Sequence, residues 1–166
     1  NGGVSPQPLV VQEAVERYNR LSNETPSYYM WRILDKGREP LRENMALMAG
    51  CDSEEIAFNR NASEALETII FGIQLERGDE VVVCKQDYPN MKHAWMQREA
   101  RDGIVLKWVD LDLPIEDDDT IINAYESLFT SKTKVLHVTH MINWTGQVLP
   151  ARKLARMARK YNAIVV

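Results

Sequence analysis

Short apolar runs that alternate with helical patterns constrain this chain more than any other feature. The runs are residues 80–84 (EVVVC), 104–109 (IVLKWV), 134–139 (KVLHVT) and 163–166 (AIVV). Continuous apolar and β-branched runs are typical of parallel strands that are covered on both faces. Strands that alternate with helices form βαβ units. The sequence therefore predicts an α/β fold, with a parallel-type sheet and helices on both faces.

The periodicity of the apolar residues predicts the helices. We expect them at about residues 8–21, 41–48, 62–75, 91–101, 120–129 and 151–161. Pro26 and Pro40 are expected to break the stretch around an aromatic and apolar cluster at residues 28–34. Residues 56–58 (IAF) are a short strand candidate, and residues 1–8 (NGGVSPQP) are expected to be irregular.

Composition narrows the class of protein. The net charge of −4 provides no basic field that would attract nucleic acid. No apolar run approaches the roughly 18 residues that a membrane helix needs, and no signal peptide is visible. Cys51 and Cys84 form no metal or redox spacing, which favours reduced thiols in a cytoplasmic protein. Because the chain starts at Asn1, a removed export signal remains an alternative.

The first segment that could carry chemistry is Asn61-Ala62-Ser63-Glu64, at the start of the helix predicted for residues 62–75. Asn61 is a good N-cap, and Glu64 three residues later completes a capping-box pattern. The same N–H groups and the Ser63 hydroxyl could instead hold an anion at the positive end of the helix dipole. Spacing alone favours a simple cap.

Two further segments follow predicted strands. Asp87-Tyr88-Pro89 comes after residues 80–84, and residues 139–146 (THMINWTG) come after residues 134–139. Ligands of open α/β sheets bind beyond the carboxyl ends of the strands. Tyr88 could stack on a planar ring, and Asn143 could donate to a ligand oxygen. His137 and His140 would point to opposite faces of a strand, so we expect no metal site.

Together these segments resemble the class V aminotransferase family of fold-type I pyridoxal-phosphate (PLP) enzymes, which includes cysteine desulfurases, kynureninases and isopenicillin N epimerase-like proteins. The most specific pieces are NASEAL followed by GDEVV, then DYPNMKHAW and VTHMINWTGQVLP. The lead NGGVSPQP, with NASEAL and DYP, is most similar to the isopenicillin N epimerase-like branch. The resemblance implies PLP as cofactor, an amino acid or related amine as substrate, and a homodimer.

The resemblance also implies roles for particular residues. Ala62 and Ser63 match the position where the family holds the PLP phosphate. Tyr88 matches the residue that stacks on the pyridine ring. Asn143 matches an Asn that hydrogen-bonds the phenolic oxygen, and His140 matches a recurrent His beside it, to which we assign no role.

Two of the family's functional groups have no match. The family's Asp for the pyridine nitrogen follows a strand that matches residues 163–166, and none of the lysines in the chain stands in the context of the family's Schiff-base lysine. The resemblance thus implies no catalytic residue in this chain and a Schiff-base lysine beyond Val166. We therefore expect a lead-in at residues 1–50, an incomplete large domain at residues 51–166, and a 166-residue chain that is inactive alone. A phosphate-binding α/β module, or an interaction domain that uses residues 28–34, remains an alternative.

Overall fold

The computed structural model describes residues 5–166, so the irregular lead-in predicted for residues 1–8 lies partly outside the described residues. The chain divides into two units, one that ends at Asn59 and one that begins at Arg60. Within the described part, no helix is both long and apolar enough to cross a membrane.

The unit that ends at Asn59 is helical. It contains α1 (Leu9–Glu24), α2 (Pro26–Tyr28), a π-helical segment (Tyr29–Leu34), α3 (Asp35–Ala49) and a 3₁₀ turn (Ser53–Glu55). Ala46 is the one buried apolar side chain among its described residues. Much of the apolar surface of this unit is therefore exposed, including Trp31 of the cluster at residues 28–34.

Two predictions for this unit are wrong. Pro40 lies inside α3 and does not interrupt the helix. A proline inside a helix removes one backbone hydrogen bond. Two residues later, Arg42 ties α3 to the following turn by donating to the Ser53 and Ile56 carbonyls at 2.6 and 3.1 Å. The strand predicted for residues 56–58 is absent, because the Ile56 N–H and carbonyl are bound to Ser53 and Arg42.

The unit that begins at Arg60 is the predicted α/β sheet. Its helices are α4 (Ala62–Gly72), α5 (Pro89–Asp102), α6 (Asp118–Glu126) and α7 (Ala151–Lys160). Its strands are β1 (Glu80–Cys84), β2 (Val105–Val109), β3 (Thr133–Leu136) and β4 (Ile164–Val165). The four strands are all parallel and lie in the order β2-β1-β3-β4, which confirms the predicted fold class.

The side chains of β1 alternate between two apolar layers, as they must in a strand. Val82 packs with Tyr125 of α6 and Leu154 of α7 on one face. Val81 and Val83 pack against buried side chains of α4 and α5 on the other face. All the residues of β1 are buried, which explains why its sequence reads as a continuous apolar run.

Two strands end earlier than the sequence predicts. β3 ends at Leu136 and not at residue 139, and β4 ends at Val165 and not at Val166. The backbone of Val166 is nevertheless bound to the neighbouring strand. Its N–H donates to the Leu136 carbonyl at 2.9 Å, and its carbonyl accepts from the Val138 N–H at 2.8 Å. The hydrogen bonding between these two strands therefore continues past both ends.

The helix α6 begins at Asp118, which is earlier than the predicted start at residue 120. The Asp117 carboxylate caps this end by accepting from the N–H groups of Asp119 and Thr120 at 3.4 and 2.8 Å. The Thr120 hydroxyl, which donates to the carboxylate at 2.7 Å, and these N–H groups hold the pKa of Asp117 below its ordinary value. The acidic run before the helix thus contains the N-cap that fixes where the helix starts.

Candidate functional site

The strand order creates a topological switch point between β1 and β3. The chain passes from β1 to β2 on one side and then crosses to β3 on the other. In open α/β sheets, ligands bind in the crevice outside the carboxyl ends of the strands at such a point. Two loops leave this edge, residues 85–88 after β1 and residues 137–150 after β3.

The N-terminus of α4 presents free backbone donors. Asn61 Oδ1 accepts from the Glu64 N–H at 2.9 Å, so Asn61 is the predicted N-cap. The predicted capping box is incomplete, because the Glu64 carboxylate accepts instead from the Arg60 N–H at 3.0 Å. Hydrogen bonds from Arg60 hold the pKa of Glu64 below its ordinary value. The N–H groups of Ala62 and Ser63 have no hydrogen-bond partner within residues 5–166, and such groups suit an anion.

The side chain of Ser63 ties α4 to the start of α5. Asn90, the second residue of α5, donates its Nδ2 to Ser63 Oγ at 3.3 Å. Because the Ser63 oxygen is the acceptor in this bond, its own proton is free for another acceptor. The N-termini of α4 and α5 thus lie together at the edge where β1 ends.

Tyr88 is the residue directly before α5, and its side chain is 41% exposed. The preceding residue, Asp87, is only 3% exposed. Asp87 Oδ2 accepts from the Cys84 N–H at 2.7 Å, which fixes the carboxylate against the end of β1. The site therefore has an accessible aromatic side chain directly after a buried carboxylate in the chain.

The loop after β3 reaches this carboxylate through Thr139, whose Oγ1 donates to Asp87 Oδ1 at 2.8 Å. His140 and Asn143 follow on the same loop, and both are exposed. The Gly146 N–H donates to the Ile142 carbonyl at 2.8 Å, which closes a turn around Asn143. Among the described residues, no hydrogen bond joins the side chain of His140 or Asn143 to Tyr88. The structure thus brings the two loops together through Asp87 and Thr139.

Buried polar groups lie beneath the two loops. Burial raises the pKa of Asp87, although the charge of nearby His137 and hydrogen bonds to the carboxylate oppose that rise. Burial also lowers the pKa of His137, which is 3% exposed. His137 Nδ1 and Trp95 Nε1 have no partner within residues 5–166, and their rings meet edge to face at 6.3 Å. His137 is buried, whereas His140 is exposed.

Sequence reasoning missed the residues that hold this arrangement together. In the sequence, Asp87 resembles an ordinary turn residue, and Thr139 resembles the first residue of an ordinary loop. Gln147 was missed as well: its Nε2 donates to the Ile115 carbonyl at 2.9 Å, and its Oε1 accepts from the Ile115 N–H at 3.1 Å. A polar residue in a loop gives no periodic signal, so only the fold reveals these partners.

Comparison with known proteins identifies the family. The family model described as aminotransferase class-V matches residues 1–166. The chain belongs to the class V aminotransferase family. Enzymes of the class V aminotransferase family use pyridoxal phosphate.

The similarity to individual class V proteins supports this family membership. The chain is 27% identical to isopenicillin N epimerase of Amycolatopsis lactamdurans, over 99% of this chain and 42% of that protein. It is also 27% identical to a probable cysteine desulfurase of Synechocystis, over 100% of this chain and 40% of that protein. The chain therefore spans about two fifths of the length of these class V relatives.

Solved structures show the same fold. The cystine C-S lyase C-DES, in complex with cysteine persulfide, aligns with a TM-score of 0.86 at 21% identity, over 99% of this chain and 43% of that chain. The apo cysteine desulfurase of Thermococcus onnurineus aligns with a TM-score of 0.72 at 24% identity, over 99% of this chain and 42% of that chain.

The residues at the carboxyl edge fit the cofactor of the class V family. PLP has an anionic phosphate, a flat ring and a phenolic oxygen. The unpaired N–H groups of Ala62 and Ser63, with the free Ser63 proton, provide donors for an anion. The accessible ring of Tyr88 provides a flat apolar face, and Asn143 carries an amide donor on the neighbouring loop.

Proposed function

We propose that this chain supplies the cofactor cradle of a PLP-dependent enzyme that acts at the α-carbon of an amino acid or related amine. Transamination, epimerisation and side-chain elimination are the reactions in question. The observation that carries the proposal is the switch point between β1 and β3, where Tyr88 and Asn143 stand on the two loops that Asp87 and Thr139 join.

Each residue of the cradle has a binding task. Bound PLP supplies an electron-accepting ring for chemistry at the α-carbon. The Ala62 and Ser63 N–H groups and the Ser63 hydroxyl hold the phosphate. Tyr88 stacks on the ring and keeps it in one plane. Asn143 donates to the phenolic oxygen, and His140 belongs to the same group of cofactor-contacting residues.

The proposal extends to the organisation of the protein. Residues 51–166 form the part of the large domain that binds PLP, and residues 1–50 form a helical lead-in. We propose a homodimer, because exposed apolar side chains such as Tyr28, Met30 and Trp31 are suited to a partner surface. We propose the cytoplasm as its location, where the thiol of exposed Cys51 stays reduced.

The 166-residue chain is expected to be inactive by itself, because none of its eight lysines lies in the Schiff-base context of the family. Lys92, near Tyr88 in sequence, donates its Nζ to the Lys85 carbonyl at 2.7 Å, and Lys85 pairs with Asp110 at 2.7 Å. We propose that none of these eight lysines is the Schiff-base lysine of the intact protein. Incubation of the chain with PLP and a panel of amino acids should give no turnover. Product formation above a PLP-only blank would contradict this expectation.

A pair of ligands that differ only in the phosphate tests the cofactor site. We expect pyridoxamine 5′-phosphate to bind to the intact protein that carries this chain at least about tenfold tighter than pyridoxamine, because charge-assisted bonds to the phosphate anchor it. Calorimetric titration measures both affinities. Equal affinities would contradict the phosphate anchor. Equally tight binding of glycerol 3-phosphate, which has no ring, would favour the alternative of a general phosphate-binding module.

A further inference from the structure

The two loops at the carboxyl edge are joined by a hydrogen bond between buried Asp87 and half-buried Thr139. β1 and β3 remain in register as far as Val82 and Leu136, and the last backbone hydrogen bond between them runs from the His137 N–H to the Val82 carbonyl at 2.9 Å. Beyond it, the bond from Thr139 to Asp87 is the only hydrogen bond between residues 85–90 and 137–150 in the described chain.

Two hydrogen bonds to Cys84 hold Asp87 in place for this bond. Its Oδ2 accepts from the Cys84 N–H at 2.7 Å, and its own N–H donates to the Cys84 carbonyl at 3.0 Å. The residue is only 3% exposed, so the carboxylate is largely shielded from solvent. The remaining oxygen, Oδ1, is the atom that Thr139 contacts.

The bond between Asp87 and Thr139 lies next to the residues that would contact the cofactor ring. Asp87 directly precedes Tyr88, and Thr139 directly precedes His140 and stands four residues before Asn143. A change in the distance between Asp87 and Thr139 would therefore move the aromatic face relative to the amide donor. The arrangement differs from a surface hydrogen bond, which would leave both loops free to shift.

We propose that Asp87 and Thr139 are positioning residues, which form a partly buried link that sets the spacing between Tyr88 and Asn143 for a flat ring. This inference rests on the proposed function, since it concerns how the same site is held for PLP. The link acts on the ring and its phenolic oxygen. It does not act on the phosphate, which is held by the separate N-terminus of α4.

The substitution Thr139→Val tests the link, since it removes the donor and keeps the shape. Thr139→Ser restores the hydroxyl. Thr133→Val is the matched control, because Thr133 begins β3, the strand that leads to the Thr139 loop, and donates to Glu80 at the opposite edge, with an Oγ1 to Oε2 distance of 3.2 Å. Hydrogen exchange on the ligand-free intact protein should show faster exchange at residues 139–146 in Thr139→Val alone. Unchanged exchange there would overturn the link.

Ligand binding tests the consequence for the cofactor. Thr139→Val should weaken pyridoxamine 5′-phosphate and pyridoxamine by the same factor, about tenfold, and should alter the circular dichroism of the bound ring. Thr139→Ser should return both properties toward the parent, and Thr133→Val should lower the melting temperature without changing affinity. If the parent binds both ligands and Thr139→Val binds them equally well, the inference fails while the proposed function stands. If the parent binds neither ligand, the proposed function fails, and the inference fails with it.

Discussion

The buried polar groups at the two edges of the sheet differ in their hydrogen bonding. At the amino edge, Glu80 is 7% exposed and accepts from Thr130 Oγ1 at 2.6 Å and Thr133 Oγ1 at 3.2 Å, with Lys107 Nζ at 3.5 Å. At the carboxyl edge, Asp87 is equally well bonded, but the neighbouring His137 Nδ1 is buried without a partner in the described chain. Buried polar groups are normally paired, so an exception calls for an explanation.

This difference distinguishes the amino edge, where polar groups bind one another, from the carboxyl edge, where polar groups are available to a ligand. The polar groups of the amino edge satisfy one another, and their role is to stabilise the sheet. The carboxyl edge combines unpaired N–H groups at Ala62 and Ser63 with an accessible Tyr88. A substitution at the amino edge should therefore change stability alone, and a substitution at the carboxyl edge should change ligand affinity.

The largest expected effect is at Tyr88. Tyr88→Ala should weaken pyridoxamine 5′-phosphate by about ten- to hundredfold, because stacking of a flat base on an aromatic side chain is worth about 1–3 kcal/mol. Tyr88→Phe keeps the ring and should bind like the parent. Calorimetric titration compares the three proteins.

Tyr161 provides the matched control for Tyr88. It is 38% exposed against 41% for Tyr88, but it packs on Phe129 with the ring centroids 5.0 Å apart and bonds Glu126. Tyr161→Ala should lower the melting temperature and leave the affinity unchanged. An equal loss of affinity in Tyr88→Ala and Tyr161→Ala would contradict the proposed difference between the carboxyl and amino edges.

Glu80→Gln is expected to have the next largest effect, on stability alone. Loss of the charged acceptor should lower the free energy of unfolding by about 1–2 kcal/mol at neutral pH, with ligand affinity unchanged. Burial disfavours the Glu80 charge, but the hydroxyls of Thr130 and Thr133 and the charge of Lys107 together hold its pKa below the ordinary value. A lowered folded pKa means that this stabilisation is present above the unfolded pKa of about 4.3 and is lost as the pH falls through the folded pKa.

Urea unfolding at a series of pH values measures this dependence. The parent should lose stability more steeply than Glu80→Gln as the pH falls from about 5 toward 3, since only the parent titrates at this position. Parallel curves for the two proteins would show that Glu80 contributes nothing through its charge.

The smallest expected effect is at Ser63. Ser63→Ala should weaken pyridoxamine 5′-phosphate by about three- to tenfold, the loss of one hydrogen bond of about 1 kcal/mol, and should not affect pyridoxamine. Ser131→Ala, at an exposed turn before β3, is the matched control and should change neither affinity. A loss of pyridoxamine binding in Ser63→Ala would place the hydroxyl beside the ring and not beside the phosphate.

The sequence predicted those structural elements that depend on interactions between neighbouring residues. The run 80–84 became β1, and Asn61 became the cap of α4, because burial and capping depend on neighbouring residues. The placement of Tyr88 and Asn143 beyond strand ends followed from the alternation of strands and helices. What these side chains do at that edge stays a prediction.

The features that the sequence did not predict depend on contacts between residues that are far apart in the chain. Arg42, in the helix α3 that runs through Pro40, is bound to residues of a later turn. The bond between Asp87 and Thr139 joins residues 52 positions apart, and it forms only because β1 and β3 become neighbours. Neither residue belongs to a pattern that distinguishes it from an ordinary turn residue.

A crystal structure of the intact protein grown with PLP tests the central claim most directly. We expect the phosphate at the Ala62 and Ser63 N–H groups, the ring against Tyr88 and the phenolic oxygen within hydrogen-bond distance of Asn143. Cofactor bound away from the carboxyl ends of β1 and β3, or bound there with its ring away from Tyr88, would contradict it.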